Sequence, residues 1–195
     1  MDNLKKNSGS PILYLDYDGV LHHEDVYFMP GRGAFYKNAL LGPLFAYLPI
    51  LEGVLADLPD VRIVLSTSWV RYRTFKKARE RLSSDLRERV IGATFHSEMI
   101  RSDTFYSPYG GNGSRRISCS FDYLSRHQAI VSDVSRRGCQ HWLAIDDDID
   151  RWPESQYDRI VITQGHLGLS EAGKADELHR RLKDLCKLAK RAKAK

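Results

Sequence analysis

The sequence predicts an α/β fold with a mainly parallel central sheet, and three observations support this prediction. Short apolar runs, typical of buried parallel strands, alternate with helix-like segments along the chain. Three of these runs end directly in polar residues that are capable of chemistry. The composition, with 42% hydrophobic and 28% charged residues over 195 residues, is that of one folded domain and not of a disordered chain.

Five apolar runs are the predicted strands. They cover residues 12–15, 61–65, 90–95, 141–145 and 159–162. The first run stops at Asp16, the second at Ser66 and the fourth at Asp146. Ligands bind beyond the carboxyl ends of the strands in open α/β sheets, so these three strand ends predict where the functional site lies.

Four helix-like segments lie between or after these runs. We expect them at residues 44–58, at 70–89, at 121–137 and after a cap at Ser170. Pro49 lies inside the first segment and predicts a kink or a break there. Residues 101–120 are rich in Ser, Gly, Arg and Tyr and predict a long loop, which in a compact domain is usually functional or disordered.

The net charge of +5 is concentrated at the C-terminal end of the chain. Residues 174–195 hold nine basic and three acidic residues, so the other 173 residues together carry −1. Such a segment either attracts nucleic acid and other acidic surfaces or is simply a solvated helix end, and the sequence leaves both interpretations open. We expect a flexible N-terminus over residues 1–10, one domain over residues 11–186 and a basic tail over residues 187–195.

The remaining composition predicts a cytoplasmic protein. The three cysteines, Cys119, Cys139 and Cys186, form no C-x-x-C pair, which argues against a disulfide framework and a zinc knuckle. No apolar run reaches the ~18 residues that a membrane span needs. Residues 1–10 lack the apolar core of a secretory signal.

Asp16 and Asp18 are separated by one residue and are followed by Gly19. A calcium-binding loop is excluded, because Leu21 stands at the position of its glycine and Tyr27 at that of its glutamate. An ordinary turn at the end of a strand would also account for this pentapeptide, since Asp and Gly are common turn residues. The motif alone therefore leaves a structural and a catalytic interpretation open.

A second acidic cluster, Asp146-Asp147-Asp148 with Asp150, follows the fourth predicted strand. Three adjacent carboxylates repel one another unless a cation or hydrogen bonds offset their charge. The cluster is either a solvated acidic turn or, facing another strand-end carboxylate, a hard oxygen site suited to Mg²⁺. The hydroxyls of Ser66 and Thr67, placed just before a helix, suit a phosphate oxygen.

The chain holds, in order, DYDGVL from Asp16, STSW from Ser66, a basic residue on a helix and the Asp146-Asp147 pair. This ordered set resembles the motifs of the haloacid dehalogenase (HAD) superfamily of phosphohydrolases. The resemblance covers about residues 12–169. Within that superfamily, LSTSW, LAIDDD and GLS are most similar to the phosphatase-like domain of bacterial and phage Swiss army knife RNA repair proteins. The resemblance implies a Rossmann-like three-layer fold. Neither gap between the motifs is long enough for a large cap domain. The resemblance therefore also implies an open site, which suits polymer ends or phosphoproteins and still admits small substrates.

The resemblance further implies a Mg²⁺-dependent phosphomonoesterase that acts through an aspartyl-phosphate. Asp16 matches the nucleophile and Asp18 the general acid/base. Thr67 best matches the hydroxyl that binds the transferring phosphoryl group, and Ser66 is its nearest rival. An acid/base two residues after the nucleophile serves both the leaving alkoxide and the hydrolysis step, which favours a phosphatase over a dehalogenase.

For the metal, the resemblance implies Asp147 as the first choice of ligand, with Asp146 in support. Asp16 and the backbone carbonyl of Asp18 would complete the set. The third motif of the superfamily is usually a lysine and sometimes an arginine, but the helix before the last motif has no lysine. Arg126 is the best candidate for this phosphate-binding cation, and its competitors are Arg115, Arg116, Arg136 and Arg137.

Two other functions stay open at this point. One is a nucleic-acid end-processing phosphatase of RNA or DNA repair, favoured by the finer resemblance and by the basic tail. The other is a catalytically weak module that binds nucleic acid through residues 101–120 and the tail, against which the intact carboxylate set argues.

His22 and His23 either touch the substrate or, as the simpler interpretation, are exposed loop histidines. The substrate is expected to be phosphorylated, and no membrane partner is expected.

Overall fold

The computed structural model describes residues 9–29, 31–95, 100–105, 116–119 and 124–193. Its strands are β1 (Ile12–Leu15), β2 (Tyr27–Met29), β3 (Gly33–Phe35), β4 (Arg62–Leu65), β5 (Val90–Ala93), β6 (Ile100–Phe105), β7 (Arg116–Cys119), β8 (Trp142–Asp146) and β9 (Ile160–Ile162). Its helices are α1 (Leu48–Leu55), α2 (Trp69–Arg73), α3 (Phe75–Arg79), α4 (Ser84–Arg89), α5 (Arg126–Arg137) and α6 (Lys174–Lys193).

Five strands form a parallel sheet in the order β5-β4-β1-β8-β9, with β1 at its centre. All four side chains of β1 are buried. Successive side chains of a strand point to opposite faces of the sheet. Leu13 and Leu15 pack in the cluster that includes α1 and α6, whereas Ile12 and Tyr14 pack in the cluster that includes α5. The sheet is therefore covered on both faces, and the predicted three-layer α/β fold is confirmed.

The first two helical segments differ from the prediction. α1 begins at Leu48, so Pro49 lies in the first turn, where its missing N–H costs no hydrogen bond, and it neither kinks nor breaks the helix. The segment 70–89 is divided into α2, α3 and α4. Thr74 separates α2 from α3 with φ of +83°, a left-handed conformation that a helix cannot contain.

Ser170 does not cap the last helix. It lies in a 3-10 turn over Gly168–Ser170, and α6 begins only at Lys174. One face of α6 is buried through Leu178, Leu182, Cys186 and Ala189. The helix extends to Lys193, so the described part of the predicted basic tail continues it; the division at residue 187 stays a prediction. In the part of the chain that the structure describes, no helix is long and apolar enough to cross a membrane.

The prediction of one long loop over residues 101–120 is wrong where the structure describes this segment. β6 and β7 pair antiparallel, with Ile100 opposite Cys119 and Phe105 opposite Arg116. Composition alone did not reveal the strands because backbone pairing, not an apolar run, defines them. The β6–β7 and β2–β3 strand pairs lie in the gaps between the motifs, and the described residues include no large cap domain.

A buried ionic network fastens α5 to β1. The Tyr14 hydroxyl donates to Asp133 Oδ2 over 3.0 Å, and Arg137 Nε donates to the same oxygen over 2.5 Å. Arg136 pairs with Asp133 Oδ1. Burial, and then the charge of Asp133, raise the pKa of Tyr14 above its usual value, so its hydroxyl stays protonated and can donate. The network holds the helix that begins with Arg126 close to the strand that precedes Asp16.

Replacing Asp133 by Asn is expected to lower the free energy of unfolding by about 3 kcal/mol, because the buried Arg137 loses its counter-charge. The matched control is Asp184→Asn, which removes an exposed carboxylate paired with Lys187 on α6. We expect the control to leave the midpoint of urea unfolding unchanged. Equal midpoints for both variants would show that the network does not fasten α5.

Candidate active site

Three neighbouring strands bring the predicted site residues together. β1 lies between β4 and β8, and Leu15 is in register with both Leu65 and Ile145. The polar residues that follow or end these strands therefore meet at one edge of the sheet. They are Asp16 after β1, Ser66 and Thr67 after β4, and Asp146 and Asp147 at the end of β8.

Arg126 joins these strand ends through a single guanidinium. Nη2 donates to Asp16 Oδ2 over 3.0 Å, Nε lies 2.9 Å from Asp146 Oδ2, and Nη1 donates to the Ser66 carbonyl over 2.7 Å. Burial lowers the pKa of Arg126, but Asp16 and Asp146 raise it further, so that the net shift is upward. Arg126 is the first residue of α5, whose start is set by a capping box between Ser125 and Gln128.

The competitors of Arg126 are placed differently. Arg136 and Arg137 pair with Asp133 and do not reach the strand ends. Arg115 lies outside the described residues, as does the side chain of Arg116.

Asp16 is almost fully buried, with 2% of its surface exposed. Its Oδ1 accepts a hydrogen bond from Tyr17 N over 2.7 Å, and the nearby Thr67 hydroxyl lowers the pKa of the carboxyl group. Burial raises the pKa of Asp16 more than Arg126 lowers it. The pKa of Asp146 is also raised, because there too burial outweighs the opposing effect of Arg126. Of the two predicted phosphate-binding hydroxyls, that of Thr67 therefore lies near Asp16, whereas Ser66 binds Arg126 through its carbonyl.

Asp16, Asp146 and Asp147 offer carboxylate oxygens that lie within 4.8 Å of one another. Burial and then the charge of Asp16 raise the pKa of Asp147 to about 7. Three carboxylates facing the one guanidinium of Arg126 leave an excess of negative charge, which a divalent cation would offset. The donor set, made only of hard oxygens, therefore fits a metal such as Mg²⁺.

Gly19 is required for this arrangement. Its φ is +67°, and a Cβ at this position would lie 2.0 Å from Asp147 Oδ2. Any side chain at residue 19 would displace the Asp147 carboxylate. Asp148 and Asp150, the outer members of the acidic cluster, are exposed and lie outside this group. Asp148 instead donates its backbone N–H to Asp146 Oδ1.

Asp18 faces α2. Its Oδ1 accepts hydrogen bonds from Trp69 Nε1 over 2.8 Å and from His22 Nε2 over 2.9 Å. Its Oδ2 has a single long contact of 3.4 Å with Ser68 Oγ. The side chain of Asp18 is not part of the three-carboxylate group, which leaves its backbone carbonyl as the proposed metal ligand.

The interpretation of His22 as an exposed loop histidine is wrong. His22 is fully buried, with its ring 4.7 Å from Phe45 and 5.8 Å from Trp69. The chain turns back after Asp18, and a β-bridge between Asp18 and His22 brings the ring inside. His23 is half-buried, and its Nδ1 accepts a hydrogen bond from Asp25 N.

A family model matches residues 12–173 of the chain and describes the HAD domain in Swiss Army Knife RNA repair proteins. The chain belongs to this family. No curated protein and no solved structure matches the chain significantly. The family match confirms the resemblance that the motifs suggested and supports, in general terms, a phosphohydrolase-type function.

The sequence motifs of this HAD domain did not reveal the residues that follow β9 and border the site. The Thr163 hydroxyl donates to the Gly19 carbonyl over 2.7 Å and is buried. A Cβ at Gly165 would lie 2.4 Å from the Glu24 carboxylate and 2.8 Å from Asp147 Oδ2. Nothing in the local sequence marks these residues, because Gly19 and Glu24, which they meet, lie more than 140 residues earlier in the chain. Trp69, by contrast, was visible as the last residue of LSTSW but had no assigned role.

Proposed function

We propose that this HAD domain is a Mg²⁺-dependent phosphomonoesterase that acts through an aspartyl-phosphate at Asp16. The observation that carries the proposal is the guanidinium of Arg126 placed between the Asp16 and Asp146 carboxylates. A carboxylate that attacks a phosphate dianion faces charge repulsion, and a fixed cation beside the nucleophile reduces it. Phosphoryl transfer depends mostly on such positioned donors and cations.

In the first step, a carboxylate oxygen of Asp16 attacks phosphorus, and the bond from phosphorus to the ester oxygen breaks. Asp18 gives its proton to the leaving alkoxide. In the second step, Asp18 takes a proton from water, which attacks the phosphorus of the aspartyl-phosphate. The bond to Asp16 breaks and inorganic phosphate leaves, so both aspartates return to their starting states. The Thr67 hydroxyl, next to Asp16, would donate to an oxygen of the transferring group.

Mg²⁺ would be held by Asp16, Asp147 and the backbone carbonyl of Asp18, with Asp146 in support. When bound, it would act as a Lewis acid that offsets the negative charge of the phosphate. Arg126 would keep Asp16 and Asp146 in place through its two ion pairs.

Mg²⁺ is expected to raise the melting temperature more at pH 8 than at pH 5.5. The pKa of Asp147 lies at about 7 in the metal-free protein, so below that pH the carboxyl keeps a proton that a metal must displace. Above pH 7 the carboxylate is charged, repels Asp16 and destabilises the metal-free protein, and a cation reverses this effect. Thermal unfolding with and without Mg²⁺ at both pH values measures the difference.

The matched control compares Asp147→Asn with Asp148→Asn, which changes the exposed neighbour. We expect Asp147→Asn to remove most of the Mg²⁺-dependent shift at pH 8 and Asp148→Asn to keep it. A shift that survives in the Asp147 variant would place the metal elsewhere.

His22 and Trp69 are expected to position the general acid. Both donate to Oδ1 of Asp18, which leaves Oδ2 to carry the transferred proton. His22→Ala should lower kcat about tenfold for an alkyl phosphate, whose leaving group needs a proton, and less for p-nitrophenyl phosphate. KM should change little.

The conservative variant His22→Gln separates positioning from folding. Its side-chain amide can donate near the place of the histidine Nε2, so we expect it to recover most of the lost kcat. An equal loss for both substrates, unrelieved by Gln, would mean that His22 supports only the fold.

A second candidate is a phosphatase that processes nucleic-acid ends. It is favoured by the family, whose description names RNA repair proteins. The experiment that tests both candidates is a phosphate-release screen, with and without Mg²⁺, of small esters and of 3′- and 5′-phosphorylated oligonucleotides. Hydrolysis of small esters alone would support the general phosphatase only. No hydrolysis of any ester would reject both candidates.

A further inference from the structure

An aromatic-basic surface lies beside the site. It is formed by the β2–β3 hairpin together with α2 and α3, and it presents large rings to solvent. Tyr72 is 62% exposed, Tyr27 40% and Phe75 38%. Exposed rings in such a group usually mark an interaction surface and not a core.

The same surface concentrates positive charge. Residues 27–37 and 69–81 hold eight basic residues and one acidic residue, a net charge of +7. The whole chain carries only +5, so all other residues together carry −2. The near-neutral average of the body thus hid a strongly basic region outside the C-terminal tail.

Cations lie over two rings of the β2–β3 hairpin, one of which is the exposed ring of Tyr27. Lys37 Nζ lies 3.8 Å from the centre of the Tyr27 ring, and the Arg32 guanidinium lies 3.9 Å from that of Phe35. Among the described residues, no carboxylate pairs with Arg32, Lys37, Lys76 or Lys77. These charges are therefore available to an anionic partner.

A chain of ring contacts connects this surface to Asp18. Trp69 donates to Asp18 and packs 5.1 Å from Phe28, whose ring lies 5.7 Å from that of Tyr72. A polymer bound across Tyr72 would therefore have its end close to the carboxylates of the site.

We propose that the aromatic-basic surface binds single-stranded nucleic acid and leads its phosphorylated end to Asp16. The second part of this proposal rests on the proposed function. Exposed rings stack on unpaired bases, and basic side chains contact the phosphates between them. An acidic protein segment would use the cations but would leave the three exposed rings without a partner. A duplex keeps its bases stacked inside and offers them to no ring.

The test measures fluorescence anisotropy of labelled single-stranded oligouridylate, at several salt concentrations and in EDTA, with Asp16→Asn as the background so that no hydrolysis occurs. Adding Tyr72→Ala and Phe75→Ala should weaken binding at least about tenfold, since each stacked base contributes on that scale. Tyr72→Phe, which keeps the ring, should stay within about twofold. Adding Lys76→Ala and Lys77→Ala should reduce the slope of log K against log salt by about 1.4, or about 0.7 for each phosphate contact.

Two controls identify the surface and the ligand. Lys187→Ala with Arg191→Ala removes the same charge from α6 and should leave the affinity within about twofold. Inorganic polyphosphate, which carries charge without bases, should bind the ring variants as well as it binds the parent. Loss of oligouridylate binding in the α6 variant, with unchanged binding in the ring variants, would overturn the proposal in favour of the tail. Equal binding of poly-glutamate and oligouridylate would overturn it in favour of an acidic protein partner.

The outcome for the surface is separable from the outcome for the catalytic site. If wild-type protein hydrolyses p-nitrophenyl phosphate while the ring variants bind oligouridylate normally, the surface proposal fails and the proposed function stands. If oligouridylate binding depends on the rings but no phosphate ester is hydrolysed, binding by the surface stands, while the proposed function and delivery of an end to Asp16 fail. Tyr72→Ala and Phe75→Ala made without the Asp16→Asn change should hydrolyse p-nitrophenyl phosphate at the wild-type rate.

Discussion

Replacing Asp16 by Asn is expected to reduce phosphate-ester hydrolysis by at least about 10⁴-fold, because the amide cannot form the aspartyl-phosphate. The change is nearly isosteric. It replaces a buried carboxyl group, the pKa of which is raised by burial, so we expect the melting temperature to stay the same. Steady-state phosphate release from a small ester measures the loss. Mass spectrometry of acid-quenched protein should find phosphate on the peptide with Asp16 in the wild type and not in the variant.

The matched control for Asp16 is Asp148→Asn, which removes an exposed carboxylate two residues after Asp146 and should turn over at the wild-type rate. Wild-type activity in Asp16→Asn would show that another group attacks phosphorus or that water does so directly. Activity lost equally in both variants would point to the total charge of the site and not to a nucleophile.

Replacing Arg126 by Ala is expected to lower both activity and stability. It leaves the buried carboxylates of Asp16 and Asp146 without their shared cation. Breaking a buried ion pair by removing one partner costs about 3–5 kcal/mol. The nucleophile also loses the charge that offsets its repulsion from phosphate, for which we expect a fall in kcat of about 10³-fold.

The stability loss of Arg126→Ala should grow with pH. Without the guanidinium, the pKa values of Asp16 and Asp146 rise further above those of the unfolded chain. At low pH both states are protonated and the loss is small. As pH rises, the unfolded chain releases its protons first, so the folded variant becomes less stable relative to wild type. Urea unfolding at pH 5 and pH 8 measures the difference, and an equal loss at both values would contradict this electrostatic account.

Two further variants refine the assignment of Arg126. Arg126→Lys keeps the charge but cannot form the three contacts of the planar guanidinium, so we expect partial activity. Arg136→Ala removes an arginine of the same helix that pairs with Asp133 instead, and it should keep kcat. Full activity in Arg126→Ala would return the role to one of the other arginines.

The sequence by itself determined the fold class, the family and the order of the motifs. Asp16, Ser66 and Asp146 were recognisable because each directly follows or ends an apolar run, and a parallel sheet brings such ends to one edge. This inference needs only local patterns and the rule that relates strand ends to sites. The breaks around Thr74 and the start of α6 were missed, because apolar spacing resembles one continuous helix until backbone conformation is known.

Only the tertiary structure decided which arginine meets Asp16, how deeply His22 is buried and where positive charge gathers. Arg126 lies 110 residues from Asp16. Its competitors on α5 differ from it in the direction that they face, and its other competitors lie elsewhere on the chain. His22 is inside because three aromatic side chains from separate segments, Tyr36, Phe45 and Trp69, pack around it. The aromatic-basic surface joins two segments more than 30 residues apart, so averaging charge along the chain concealed it. Burial, ion pairing and surface charge depend on distances in space, which composition and spacing along one chain do not contain.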